Sequence, residues 1–60
     1  MTSTHIAQKL RALAVQMRDV AADLDYYGGF NPEAKQKAVE LAGAAGIADS
    51  WADHIEEEAP

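Results

Sequence analysis

At sixty residues the chain is one small domain, 1–60, of a size that buries only about 60% of the surface its unfolded form exposes. A core this small is marginal alone, and with no cysteine the supplement is neither a disulfide nor a thiolate metal site; well-packed helices, self-association or a bound partner remain. Ten carboxylates against five Lys and Arg give a formal charge of −5, and a chain of that sign repels phosphate, which argues against direct nucleic-acid binding.

The N-terminal residues Met-Thr-Ser-Thr-His lead into an amphipathic stretch rather than a continuous apolar one, so no secretory signal is expected. The first predicted helix, about 4–27, carries the ladder Ile6, Leu10, Leu13, Met17, Val20, Leu24, Tyr27 at alternating steps of four and three. Ser3 or Thr4 is placed to cap its start by accepting from a free backbone N–H, and Gly28 to close its last turn in the left-handed conformation. Behind the ladder runs a second stripe, Ala7, Ala14, Ala21. The apolar surface is then wider than a single partner helix needs to cover.

The loop Tyr27-Gly28-Gly29-Phe30-Asn31-Pro32 follows. Tyr27 is expected in the core, while Tyr26 and Phe30 form either a cluster that clamps the loop or an exposed contact patch. The second helix, about 32–57, has a clear start: Asn31 is a favoured N-cap, Pro32 suits the first helical position, and Glu33 sits where the helix dipole favours an acid. Its ladder is Ala34, Ala38, Leu41, Ala45, Ala48, Ala52, Ile55. Two courses are open beyond Leu41. Gly43 and Gly46 cost about 2 kcal/mol against alanine in a helix, and Ser50 with Asp53 resembles a capping box, which together predict a break near Gly46 and a short third helix. The ladder instead keeps its phase through both glycines, which predicts a continuous helix; the stripe Val39, Gly43, Gly46, Ile47 would then serve the close approach of another backbone. The uncharged apolar run Leu41 to Ala48 is far short of the ~20 residues of a membrane span, so a soluble, cytoplasmic protein without membrane contact is expected.

Two in-phase ladders joined by one short loop predict an all-α antiparallel helical hairpin. With the loop centred near Gly29, residue i lies opposite roughly 59 minus i. Trp51 then falls near Gln8 and is expected to fill core space left by Ala48 and Ala52; the alternative role for Trp51 is an interface anchor.

Charge is unevenly distributed. Residues 1–18 carry Lys9, Arg11 and Arg18 and no acid, whereas residues 19–60 carry Lys35 and Lys37 against all ten carboxylates. In a hairpin the acidic C-terminal end lies beside Lys9 and Arg11, so one reading of its acids is intramolecular neutralisation. The other is phosphate mimicry. Asp49, Asp53 and Glu57 repeat about every 6 Å along a helix, near the spacing of successive phosphates, and Asp19 and Asp23 repeat that step on the first helix. With Glu56 these form a candidate acidic face for a partner protein with a basic surface; Tyr26, Phe30, Ile47 and Trp51 form an apolar candidate.

In size, helicity and acidity over the whole chain, the sequence resembles the small acidic all-helical inhibitors that phages and mobile elements deploy against host defence, anti-CRISPR proteins among them. No motif carries the resemblance. It implies a non-enzymatic inhibitor that blocks a nucleic-acid-binding surface, working in the host cell cytoplasm if phage-encoded. The alternative is a homodimeric helical-bundle module, structural or regulatory, without mimicry.

Ser50, Asp53 and His54 share a segment, yet a nucleophile needs an aimed base, an oxyanion hole and a cleft, and a two-helix rod offers no cleft. His5 and His54 fall at the same end with Asp53 and Glu57 nearby; two histidines of unknown facing are read as surface residues rather than ligands. No catalytic, cofactor or metal residue is assigned.

Overall fold

The computed structural model describes residues 2–29 and 31–58. It is a helical hairpin: α1 spans Ser3–Gly28 and α2 spans Pro32–Glu58, packed lengthwise into a rod of 48 × 13 × 11 Å.

Local chemistry sets the ends of both helices. Thr2, extended at φ −89° and ψ 159°, caps α1: its Oγ1 accepts from the His5 backbone N–H at 3.1 Å, and its carbonyl accepts the first helical bond, from Ile6, at 3.1 Å. The cap therefore lies before Ser3 and Thr4, the two residues expected to supply it, and both of these are inside the helix. At the other end Gly28 is still helical, and it is Gly29 that takes the positive φ of +54°, a conformation that glycine adopts without steric cost. Gly28 answers a different constraint. A Cβ there would stand 2.7 Å from the Ala34 Cβ, so the missing side chain lets the end of α1 lie against the first turn of α2. The Gly28 carbonyl also accepts from the Asn31 N–H at 2.8 Å. Asn31 then caps α2 as expected, its Oδ1 accepting from the Glu33 N–H at 3.0 Å, with Pro32 in the first helical position.

α2 runs unbroken through Gly43 and Gly46. The break near Gly46 and the short third helix do not form, and Ser50 is mid-helix, where its carbonyl meets His54 Nδ1 at 3.2 Å. A cost of about 2 kcal/mol for two helical glycines is outweighed by keeping Ala45, Ala48, Ala52 and Ile55 on the packed face. A Cβ at either glycine would meet nothing within 4 Å, so within the hairpin these positions serve no close backbone approach.

The seam is made of alanine. Ala7, Ala14 and Ala21 on α1 and Ala38, Ala45, Ala48 and Ala52 on α2 are buried, and no large side chain among the described residues is fully enclosed. The α2 ladder takes the predicted position, with Ala34, Leu41 and Ile55 half-buried at its edge. The α1 ladder is displaced by one residue: Leu10, Met17 and Leu24 stay half-buried, but Ile6, Leu13, Val20 and Tyr27 are exposed, and the Ala7, Ala14, Ala21 stripe takes the centre. The physical reason is that two helices alone cannot surround a leucine. With methyl groups facing methyl groups the axes come close together, and bulkier side chains are left to pack along the flank, as Leu10 and Met17 do against Ala14, Ala45 and Ala48. Two expected core residues move out as a result: Tyr27 is 80% exposed and Trp51 61% exposed.

Candidate interaction surfaces

The alanine seam divides the rod into two unlike flanks. On one flank Arg11, Arg18 and Asp25 recur at heptad steps along α1 and face Lys35, Asp49, Asp53 and Glu56 on α2. Arg11 bridges two carboxylates one turn apart, with Nη2 on Asp53 Oδ1 at 2.6 Å and Nη1 on Glu56 Oε1. Arg18 Nη2 meets Asp49 Oδ2 at 2.7 Å, and Lys35 Nζ meets Asp25 Oδ1 at 3.3 Å near the loop. The Glu56 hydrogen bond, with the attraction of Glu56 and Asp53 added and partial desolvation opposing, holds the Arg11 guanidinium above its ordinary pKa. All these side chains stay substantially open to water, so each pair fixes register more than it adds stability.

The other flank is apolar. Ile6, Leu13, Val20 and Tyr27 stand beside the half-buried Leu10, Met17 and Leu24 along α1. Leu24 lines a shallow groove with Leu41 and Ala44 of α2, with Lys37 and Glu40 at its edge; toward the loop Val20, Leu24 and Tyr27 line a second groove with Ala34, and Asp23 borders it. Helical spacing carries the same strip along α2 from Leu41 and Ala44 to Trp51 and Ile55. A half-open apolar face thus runs along the rod, bordered by Asp23, Lys37 and Glu40, an arrangement of the kind that marks an interaction surface.

The candidate acidic residues separate into two sets. Asp49, Asp53 and Glu56 are occupied by Arg18 and Arg11. Asp19, Asp23 and Glu57 are exposed and make no ion pair within the described residues. The evenly spaced row Asp49, Asp53, Glu57 therefore has two of its three members engaged within the chain. Neutralisation was expected to fall to Lys9 and Arg11; Arg11 takes that role together with Arg18, which the charge count alone did not single out. Of the apolar candidates, Trp51 lies on the apolar flank, Ile47 is half-exposed beyond it, and Tyr26 packs edge-on to Tyr27 with ring centroids 4.9 Å apart. Phe30, and with it the proposed clamp of the loop, lies outside the described residues. Among the described residues no group of three or more His, Asp or Glu side chains is arranged to hold a metal ion, and no helix formed by them is long and apolar enough to cross a membrane.

The chain matches no protein-family model, no curated protein and no solved structure.

Proposed function

We propose that this chain is a non-enzymatic protein-binding module whose working surface is the apolar flank rather than the acidic arm. The observation that carries the reading is the position of the bulky residues: the hairpin closes on alanine and leaves Ile6, Leu13, Val20 and Trp51 between 39% and 61% exposed. Burying a side chain of that size completely contributes about 1.5–3 kcal/mol, and covering the half still open contributes roughly half of that for each, so a contact on this face adds to what a sixty-residue core lacks. The acids on the opposite flank are consistent with this division of labour, because Arg11 and Arg18 hold three of them in place.

A second reading is favoured by the acids that have no such partner. Asp19, Asp23 and Glu57, in a chain of net charge −5, would suit an inhibitor that covers a basic nucleic-acid-binding surface, of the kind phage-encoded anti-defence proteins present in the host cytoplasm. The two readings differ in salt response. Immobilised protein should retain its partners at 1 M salt, where charges are screened within ~3 Å, and Leu13→Glu should release them. Retention that is lost in salt and unchanged by Leu13→Glu would reject the apolar surface in favour of the acidic one.

A further inference from the structure

The surface left open by the rod is close to what one interface removes. A compact monomer of 6.4 kDa exposes about 3,800 Å² by the scaling of folded proteins, whereas this hairpin exposes 4478 Å². The surplus, about 700 Å² on that scaling, compares with the ~800 Å² each partner contributes to a stable interface. One face covered once would bring the chain to the burial expected of a folded domain.

Charge at the edges of the apolar flank bears on what covers it. On α1 the edge is marked at heptad steps by Lys9, Gln16 and Asp23, so Lys9 stands at the free end of the hairpin and Asp23 at the loop end. On α2 Lys37 and Glu40 border the flank near the loop, and Glu58 follows Trp51 by one heptad at the free end. Acid therefore outnumbers base at the loop end, while Lys9 balances Glu58 at the other. The apolar residues share this arrangement: Ile6 and Tyr27, and likewise Leu13 and Val20, are evenly disposed about the middle of α1. A copy turned end for end would bring Ile6 toward Tyr27, Leu13 toward Val20 and Lys9 toward Asp23, a self-complementary pattern of the type a two-fold interface requires.

We infer that two copies pair apolar flank to apolar flank with their loops at opposite ends, forming a four-helix bundle in which Lys9 of each copy lies beside Asp23 of the other. The inference rests on the apolar-surface reading above and names its occupant. Trp51, the single tryptophan, becomes covered on pairing and reports it.

The test is sedimentation of the purified chain from micromolar to millimolar concentration, with Trp51 emission followed in parallel. The wild type should pass from a 6.4 kDa species to twice that mass, with emission shifting to the blue. Leu13→Glu should remain helical and monomeric, whereas Val15→Glu, the same charge change on an exposed residue off the flank, should dimerise normally. If Leu13→Glu fails to fold, Val20→Glu takes its place. Lys9→Glu should weaken the dimer by about tenfold through like-charge contact, and adding Asp23→Lys should restore it. A wild type that stays monomeric with unshifted Trp51 emission overturns the inference, as does a dimer indifferent to glutamate at both Leu13 and Val20. A double reversal no better than Lys9→Glu alone overturns the placement of the loops at opposite ends. A monomeric wild type that still retains partners at high salt in a Leu13-dependent way would remove the second copy and leave the apolar-surface reading standing.

Discussion

Ala14 of α1 packs against Ala45 of α2, and both are wholly withdrawn from solvent. Each contributes one methyl group, about 0.8 kcal/mol of burial, and neither is the residue a hydrophobicity ranking would put at the centre of a fold. Their contact sets the distance between the helices, and the bulkier residues of α1 stand at its side as a consequence.

Enlarging that contact should be harmful even though it adds apolar surface. Ala14→Leu or Ala45→Leu is expected to destabilise the chain by about 1–3 kcal/mol, as overpacking does. Leu13→Ala, measured dilute, should cost less than the 2–5 kcal/mol of a core truncation, because Leu13 is 47% exposed. Thermal melts followed by circular dichroism give the order directly, and a Leu13→Ala variant that melts below Ala14→Leu would contradict it.

Two glycine substitutions of identical chemistry should act with opposite sign. Gly46→Ala places a methyl in open space within a helix and should stabilise by about 1 kcal/mol. Gly28→Ala sets a methyl 2.7 Å from the Ala34 Cβ, where the first turn of α2 must move, and should destabilise. Chemical denaturation of both variants decides the matter; equal effects would mean that the helices do not converge at the loop as described.

The ion-paired flank should respond to salt while the seam does not. Arg11→Gln removes the partner of both Asp53 and Glu56, and its melting temperature should fall slightly below the wild type at low salt. In 1 M salt, with a screening length of ~3 Å, the difference should vanish. A difference that persists there would assign Arg11 a packing role along its aliphatic stem.

Loss of the second cap is the simplest check on the loop. Asn31→Ala leaves the Glu33 N–H without its acceptor and should cost about 1 kcal/mol, whereas Ser3→Ala, beside the true cap Thr2, should change little. A larger loss at Ser3 than at Asn31 would misplace the start of α1.

The hairpin, the start of α2 and its buried face were legible because each has a local cause: Asn31-Pro32 caps and sets the first turn, and the α2 ladder holds its phase through Gly43 and Gly46. The α1 seam was harder to see. Its leucine ladder and its alanine stripe lie on adjacent lines of one helix, and size favours the leucines until the partner is considered. The matching heptad spacing of Ala7, Ala14, Ala21 with Ala38, Ala45, Ala52 was the available signal, and it points to alanine facing alanine. Trp51 and Tyr27 were placed inside for the same reason, since both follow from a leucine-centred register. On the charged flank Arg11 was readable from its position opposite the acidic end; Arg18 required the pairing geometry of the two helices, which reaches Asp49 only in the folded rod.

Methyl-to-methyl nuclear Overhauser effects, recorded on protein dilute enough to be monomeric, test the alanine seam most directly. Cross-peaks from Ala14 to Ala45 and Ala48, with Leu13 methyl groups showing contact to solvent, are the predicted result. Strong cross-peaks from Leu13 and Val20 across the seam to Ala45 and Ala38, with Ala14 exposed, would place the leucine ladder at the centre and remove the apolar flank on which the functional proposal stands.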